Sequence, residues 1–319
     1  MSSVRGLVSA LGSPTALRRV AGASIVANVG IVITGGAVRL TGSGLGCPTW
    51  PRCTNESLTV TPEMGIHGLI EYGNRLFTFV VGLVALVGII SALAQRPRRR
   101  RVTRLAVGVF LGVPAQALLG GLTVLTGLNP WAVGAHFLLS MAIIAAAYAF
   151  LMAAGEGDGA VVPAVPRWLR GLAGLLVVTN AAVLVVGTVV TGSGPHAGDP
   201  EAGRNGLDPD ALSQLHVDLV FLLVGLSVAM WFALRAVGAE AAAVRAAWLI
   251  GVELAQGLVG FVQHFTNLPP LLVAVHMAGA CAVWLATLAL WFATRSRVET
   301  PSRGGQAHGL VRSLAGDSA

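Results

Sequence analysis

Charged residues are scarce in this chain of 319 residues, where Asp, Glu, Lys and Arg together make up 11%. Soluble domains usually contain roughly 25% charged residues, so this composition excludes an ordinary soluble fold. Hydrophobic residues make up 55% of the chain, and the mean hydropathy is +0.76. These values indicate many apolar segments rather than one anchor. They predict an all-α polytopic membrane protein.

Lysine is absent, and all 21 basic residues are arginines. Most of them lie in short stretches between apolar segments, where arginines set the orientation of a membrane protein. The net charge of +7 therefore does not indicate nucleic-acid binding. Eight apolar segments are long enough to span a membrane, and they cover residues 20–40, 66–94, 105–125, 131–153, 168–190, 211–234, 246–265 and 271–293.

The arginines also predict which side each loop faces. A cytoplasmic N-terminus leaves only Arg39, Arg52, Arg75 and Arg204 in outer segments and places all the other arginines inside. Because positively charged loops stay in the cytoplasm, both termini are predicted to be cytoplasmic.

Cysteine is rare, with three residues in the chain. Cys47 and Cys53 lie in the first outer loop of the predicted topology, where disulfides persist. A proline-containing loop can bring them together, so we predict a disulfide, with two free thiols as the alternative. Cys281 lies inside the last apolar segment and is predicted to pack in the core.

The two halves of the chain repeat one another. Residues 41–44 and 191–194 both read Thr-Gly-Ser-Gly, and a longer pattern recurs 140 positions later, including Gln116 with Gln256 and His136 with His276. The repeat predicts two pseudo-symmetric four-helix bundles. Their predicted bounds are an N-terminal cytoplasmic tail at 1–19, a first bundle at 20–153, a cytoplasmic linker at 154–167, a second bundle at 168–294 and a disordered cytoplasmic tail at 295–319.

Histidines lie near the outer ends of three predicted spans. His136, His216 and His276 fall in the first turns of the fourth, sixth and eighth segments. Ionisable groups at membrane depth are costly and mark functional sites by default. We expect His216 and His276 to face one another across the second bundle and to ligate a haem, because further ligands for a tetrahedral zinc site are lacking. A satisfied core histidine is the alternative.

The first bundle has an unequal set of groups. His136 is the repeat partner of His276, but a shift of 142 places Asn74 opposite His216. An amide is a weaker iron ligand than an imidazole. His67 is the other candidate, and it lies seven residues before Asn74 on the same helical face.

Glu71 lies between His67 and Asn74 on that face. An acid beside an unequal site suggests chemistry rather than simple electron transfer. The alternative is a buried acid that pairs with Arg75 or Arg39.

Other polar residues give weaker signals. We expect Gln116 and Gln256 to line haem pockets or to bridge helices. His196 and His264 are expected either to contact haem carboxylates or to be solvated, and Asp218 to pair with an arginine or to serve a proton route. Glu253 and Gln263 have no partner that the sequence identifies.

Three segments together resemble the haem A synthase family in its actinobacterial form. They are TGSGLGCPTWPRC at 41–53, EYGNR at 71–75 and TGSGPHAGD at 191–199, and the eight-segment repeat accompanies them. The resemblance covers about residues 20–295. It implies an oxidoreductase that oxidises the C8 methyl of haem o to a formyl group, giving haem A for terminal oxidases.

The resemblance also implies roles for single residues. Glu71 matches the essential acid, and His136 matches the iron ligand of the substrate haem o. The residues matching His216 and His276 hold a haem b cofactor, and Cys47 and Cys53 match the family's cysteine pair. Family members commonly have His where this chain has Asn74, and some have a second cysteine pair in the loop that corresponds to 192–210. The second axial ligand of the substrate haem therefore stays open between Asn74 and His67.

The resemblance further implies a bacterial plasma membrane, haem sites toward the extracytoplasmic side, and haem o synthase and terminal oxidase assembly factors as partners. A haem b electron carrier and a haem transporter or chaperone are the alternative functions. The sequence leaves the electron acceptor, the oligomeric state and the haem route open.

Overall fold

The computed structural model describes residues 10–298, and most of them lie in eight long helices. Each of the eight is long and apolar enough to cross a membrane. The prediction of an all-α, multi-pass membrane protein is therefore confirmed. The helices are α1 (Pro14–Leu40), α2 (Gly65–Ala94), α3 (Arg100–Leu125), α4 (Pro130–Gly155), α5 (Arg167–Ser193), α6 (Pro209–Ala236), α7 (Glu240–Phe265) and α8 (Pro270–Ala293).

Helix α1 begins at Pro14, ahead of the predicted span at residue 20. Ser13 caps it, since its side-chain oxygen accepts a hydrogen bond from the backbone N–H of Ala16 at 3.2 Å. Proline suits the first helical position because the N–H that it lacks has no intrahelical partner there. Leu17 is fully buried against Phe150 and its neighbours. Part of the predicted N-terminal tail is thus a packed helix, and residues 1–9 lie outside the described residues.

The four helices of each half contact one another in a ring. Helix α1 contacts α2 and α4, and α3 closes the ring between them. Helices α5, α6, α7 and α8 form the corresponding ring. The halves meet through α1, α4, α5 and α8. This arrangement agrees with two four-helix bundles, whose bounds, symmetry and membrane orientation stay predictions.

The seam between the halves is apolar. Val32, Met141, Leu184 and Trp284 form one buried cluster with Cys281, which is fully buried as the sequence predicted. The indole N–H of Trp284 donates to the backbone oxygen of Met141 at 2.9 Å, so the one polar group of this side chain is satisfied. A tightly packed seam fixes the outer ends of α1, α4, α5 and α8 relative to one another.

A short ribbon joins the linker to the end of α8. Strand β1 (Val161–Pro163) pairs antiparallel with strand β2 (Arg295–Arg297). Glu156 forms ion pairs with Arg101, Arg295 and Arg297 at 3.0, 3.3 and 3.2 Å. Residues 295–297 were predicted to belong to a disordered tail, and that prediction is wrong for them because they form a strand and the Glu156 carboxylate pairs with two of its arginines and with Arg101 of α3. The rest of that tail, 299–319, lies outside the described residues.

Candidate functional site

Three histidines share one local setting in this fold. Each lies six or seven residues after the proline that begins its helix, and its ring packs against a glycine of the preceding helix. The ring carbon Cε1 lies 3.1 Å from the position that a glycine Cβ would take. This spacing is tighter than most Cβ contacts, so glycine lets each imidazole approach the helix backbone. The three pairs are His136 with Gly120, His216 with Gly187 and His276 with Gly260.

The same three rings are poorly satisfied by the protein. Atom Nδ1 of His136, His216 and His276 is buried and has no hydrogen-bond partner among residues 10–298. A buried polar atom without a partner costs free energy, and a core histidine normally avoids that cost. The alternative of a satisfied core histidine is therefore not supported. Packing against glycine, rather than hydrogen bonding, orients these rings.

A glutamine holds the backbone behind two of these histidines. Gln116 on α3 donates from Nε2 to the carbonyl oxygen of His136 at 3.1 Å, and Gln256 on α7 donates to that of His276 at 2.8 Å. Gln116 also donates to the hydroxyl of Ser140 at 2.5 Å. The expectation that these glutamines bridge helices is confirmed. The contact fixes α4 against α3 and α8 against α7 at the level of the histidines.

The second half has two of the histidines within one ring of helices. His216 lies in the first turns of α6, and His276 lies in the first turns of α8. Within residues 10–298, no cluster of three or more His, Cys, Asp or Glu side chains could hold a metal ion. Two imidazoles without further ligands match the donor set of an axially ligated haem better than that of a closed zinc site.

The first half has Asn74 where the second half has His216. Its side-chain nitrogen lies 3.8 Å from the position that a Cβ on Gly35 of α1 would take, so Asn74 also faces a glycine. Its Oδ1 accepts a hydrogen bond from the hydroxyl of Thr34 at 2.7 Å. The amide is thus engaged by α1, whereas the matching imidazole has a buried nitrogen without a partner.

Glu71 is 5% exposed and accepts three hydrogen bonds. Oε1 accepts from Nη2 and Nε of Arg75 at 2.5 and 3.1 Å. Oε2 accepts from the backbone N–H of Cys47 at 2.5 Å. The structure therefore shows the ion pair with Arg75 that the sequence offered as an alternative. A carboxylate needs such partners at this depth, because an unpaired buried charge is costly.

The three polar residues of this helical face do not form one cluster. His67 is exposed and shares a hydrogen bond of 2.9 Å between its Nδ1 and the hydroxyl of Ser43, while Asn74 binds Thr34 and Glu71 binds Arg75. Helical spacing placed them correctly on one side of α2. The partners come from α1 and from the loop after it, which the spacing could not reveal.

The loop after α1 packs directly over Glu71. Cys47 and Cys53 form a disulfide, which confirms the predicted pairing, and both are fully buried. Arg75 donates from Nη2 to the backbone oxygens of Cys47 and Thr49 at 3.0 and 3.1 Å. One guanidinium therefore binds both the acid and the disulfide loop.

Sequence reasoning missed Trp50, which lies between the two cysteines. Its indole packs against Gly121 so closely that any Cβ at this position would collide with the ring. Gly120, the next residue on α3, is the glycine beneath His136. Two features of the sequence could have indicated this contact. They are the Gly-Gly pair at 120–121 and the tryptophan between the two cysteines. Together they place the disulfide loop beside the histidine of the first half.

Hydrogen bonds also engage three polar residues to which the sequence gave no definite role. Asp218 accepts from Nε2 of Gln214 at 2.7 Å rather than from an arginine. Glu253 is 4% exposed; its Oε1 accepts from the hydroxyl of Ser227 at 2.8 Å, and its Oε2 is buried without a partner in the described part of the chain. His196 donates from Nε2 to the backbone oxygen of Leu268 at 2.8 Å.

Several relatives resemble this chain over one half of their length or less. The heme A synthase of Symbiobacterium thermophilum is 30% identical over 146 residues, which are 46% of this chain and 47% of the relative. The heme A synthase of Listeria welshimeri is 35% identical over 116 residues, 35% of this chain and 37% of the relative. That of Lysinibacillus sphaericus is 34% identical over 141 residues, 42% of this chain and 45% of the relative.

A family model gives a longer match. The COX15-CtaA model, described as cytochrome oxidase assembly protein, matches residues 18–198. The match includes the disulfide loop, Glu71, Asn74 and His136, and it ends within the loop after α5. Since it covers more than half of the chain, this protein belongs to the COX15-CtaA family of cytochrome oxidase assembly proteins.

Proposed function

We propose that this protein is a membrane haem A synthase, an oxidoreductase that converts the C8 methyl of haem o into a formyl group. Relatives that carry the name heme A synthase support this function. The observation that carries it is the histidine setting repeated in both halves, with the buried acid Glu71 in the first half. His136, His216 and His276 face glycines with a free ring nitrogen, whereas Asn74 faces a glycine and binds Thr34.

The second half has the residues to hold a haem b cofactor. His216 and His276 come from two helices of one ring, and neither Nδ1 has a hydrogen-bond partner within residues 10–298. Two imidazoles are a common axial pair for haem iron, and bound haem b supplies one-electron redox chemistry. Gln256 keeps His276 in place from behind, so the ring is oriented before a ligand arrives.

The first half has the residues to bind haem o as a substrate. His136 is the iron ligand, because it repeats the setting of His276 with its own glycine and glutamine. Asn74 is a weak ligand and is already bound to Thr34, and His67 is bound to Ser43. The second face of the substrate iron is therefore weakly ligated or open. Uneven ligation suits a substrate that must leave after reaction.

Glu71 supplies a proton acceptor beside this site. Oxidation of the methyl group, with water as the source of the new oxygen, releases protons and electrons in equal numbers. The electrons would leave through the haem b of the second half to an external electron acceptor. A carboxylate that accepts hydrogen bonds from Arg75 and Cys47 is held in a fixed direction. Such a group can take protons from the attacking water or from the substrate carbon. Arg75 and the disulfide loop keep it in position.

The location and partners follow from this function. We place the protein in a bacterial plasma membrane with both haem sites toward the extracytoplasmic side. Haem o synthase would supply the substrate, and terminal oxidase assembly factors would receive the product.

Analysis of bound haems tests the proposal. The protein is expressed with a source of haem o, and extracted haems are separated and identified by mass. Haem A, or the hydroxymethyl intermediate, is expected from the wild type and from Glu56→Gln, a control at an exposed loop acid. If haem b is the only haem extracted and quinol reduces it reversibly, the proposed enzymatic function is wrong and the protein is an electron carrier.

A further inference from the structure

Arg39 lies at the outer end of α1, where the two halves meet. Its Nε donates to the backbone oxygen of His196 at 2.5 Å, and its Nη2 donates to that of Thr191 at 3.0 Å. Both acceptors belong to the loop that follows α5 in the second half. The side chain is thus fixed in direction by two carbonyl groups, and Nη1 donates to no acceptor in the described part of the chain.

The positive charge of Arg39 has no ion-pair partner in the described part of the chain. Neither Arg39 nor the nearby Arg204 takes part in any of the ion pairs formed within residues 10–298. Arg204 donates to the backbone oxygens of Ala202 and Pro195, both at 2.7 Å. Asp199 belongs to the same loop, but its Oδ1 accepts from the backbone N–H of Glu201. Two guanidinium groups therefore share this seam, and carbonyl oxygens alone satisfy them.

Such an arrangement favours an anionic ligand. Like charges repel, and a partly buried cation with only dipolar partners gains free energy when a carboxylate arrives. The contacts with carbonyl oxygens hold the guanidinium in place beforehand, which reduces the entropy lost on binding. Arginine with a carboxylate forms short, charge-assisted hydrogen bonds.

Arg39 also lies close to the site of the first half. It follows Gly35 by four residues, so the two positions share one face of α1, with Arg39 one turn nearer the outer end. Gly35 is the glycine that faces Asn74. A ligand bound between Asn74 and His136 would therefore have Arg39 about one helical turn away, toward the end of α1 that precedes the loop at 41–53.

We propose that Arg39 binds a propionate carboxylate of the haem in the first half, and that Arg204 adds positive potential beside it. This inference rests on the proposed function, because it assumes that haem o occupies that site. Propionates are the two acidic groups of a haem. The arginine would fix which edge of the porphyrin faces the outer loops, and it would thereby present one particular methyl group to Glu71.

Esterified substrate gives a direct test. Protein that retains its haem b is titrated with haem o and with haem o dimethyl ester, and each dissociation constant is measured from absorbance changes. We expect the wild type to bind the ester about tenfold more weakly, since a hydrogen bond to a charged group is lost. Arg39→Gln should weaken binding of haem o about tenfold and leave the ester unchanged, so the preference disappears.

Two further variants test whether the effect is specific to Arg39 and to the geometry of its guanidinium group. Arg52→Gln is the matched control, because Arg52 is an exposed outer-loop arginine that also donates to a backbone oxygen, that of Asn55 at 3.0 Å. It should keep the preference of the wild type. Arg39→Lys keeps the charge without the fork geometry and should retain part of the preference. If Arg39→Gln does not fold, as judged by its haem b spectrum, the preference for haem o over its ester is compared between the wild type and Arg39→Lys instead.

Equal affinity of the wild type for haem o and its ester would overturn the inference, as would an unchanged preference in Arg39→Gln. Failure of the proposed function gives a different result. Haem o would then bind with the expected preference but would not be oxidised.

Discussion

The two halves of this protein repeat one arrangement of side chains and differ at one position of it. Each half places a histidine against a glycine of the preceding helix, with a glutamine bound to the histidine's carbonyl oxygen. They differ at the facing position, which is His216 in the second half and Asn74 in the first. The shared contacts are backbone and packing contacts, and the difference is a single polar side chain. Repetition thus preserves the geometry of a ligand site while its chemistry changes.

The buried acids of the two halves also differ, in the hydrogen-bond partners that they have. Glu71 in the first half has Arg75 and the backbone N–H of Cys47 as partners. Glu253 in the second half accepts from Ser227 and has no other hydrogen-bond donor within residues 10–298, and a shift of 140 places it opposite Val113, which is apolar. The acid with an ion-pair partner therefore lies in the half with the uneven site. Substitutions in each half can test whether this asymmetry separates catalysis in the first half from electron transfer in the second.

The largest effect is expected from the histidines of the second half. His216→Ala or His276→Ala removes one of two axial ligands, so the low-spin haem b spectrum should be lost completely. Absorbance spectra of purified protein measure this. Glu240→Gln, at an exposed acid where α7 begins, is the control and should keep the spectrum. An unchanged spectrum in both ligand variants would show that haem b is bound elsewhere.

Glu71→Gln should abolish haem A formation and keep the haem b spectrum. The amide cannot accept a proton, and loss of a general base costs at least ~100-fold in rate. Haem extraction measures the product, and the spectrum reports on the second half. His136→Ala should lose activity in the same way because the substrate iron loses its ligand. Loss of haem b in Glu71→Gln would contradict a separation of tasks between the halves.

The disulfide should affect the first half more than the second. Replacing Cys47 and Cys53 together by serine frees a loop that supplies one hydrogen bond to Glu71 and packs Trp50 against Gly121. Removal of a native disulfide typically costs about 2–4 kcal/mol, and here we expect it to appear as lower activity with haem b content retained. Activity and haem b per protein are measured on the same sample. Equal loss of activity and of haem b would show that the substitution destabilises the whole fold and not the first half alone.

Asn74→Ala should keep much of the activity, because no strong bond to iron is lost. Asn74→His makes the first half resemble the second and should retain the haem more tightly, which slows product release. Single-turnover and steady-state rates separate these effects. If Asn74→Ala is as inactive as Glu71→Gln with haem b intact, the amide is a working part of the site and this account of the asymmetry is wrong.

The smallest effect is expected at Glu253. Glutamine keeps an oxygen that can accept from Ser227, and no ion pair is lost within the described residues. The free energy of unfolding should change by no more than about 1 kcal/mol. Thermal melting followed through haem b absorbance measures it, with Glu71→Gln as the comparison. A larger loss at Glu253 than at Glu71 would show that the second half depends on its own buried acid.

The sequence placed His136, His216 and His276 near the starts of their helices, as the structure has them, but it predicted the surroundings of Glu71 only in part. The spacing of His136, His216 and His276 from helix starts is local, and so is the recurrence of glycine and glutamine on the preceding helices. Glu71 is different, since its partners are Arg75 one turn later and Cys47, which comes from a loop. Helical spacing showed the face on which Glu71 lies, but it could not show that the loop folds back onto that face.

By itself, the sequence determined the eight apolar helices, the disulfide pair and the level of the histidines. These depend on segment length, on residues close in the chain and on helical rise, which are local properties. Only the tertiary structure decided that Asn74 binds Thr34, that Trp50 lies beside Gly121 and that Arg39 reaches the loop after α5. Each of these contacts joins residues far apart in the chain, and it forms because packing of the helices brings their outer ends together.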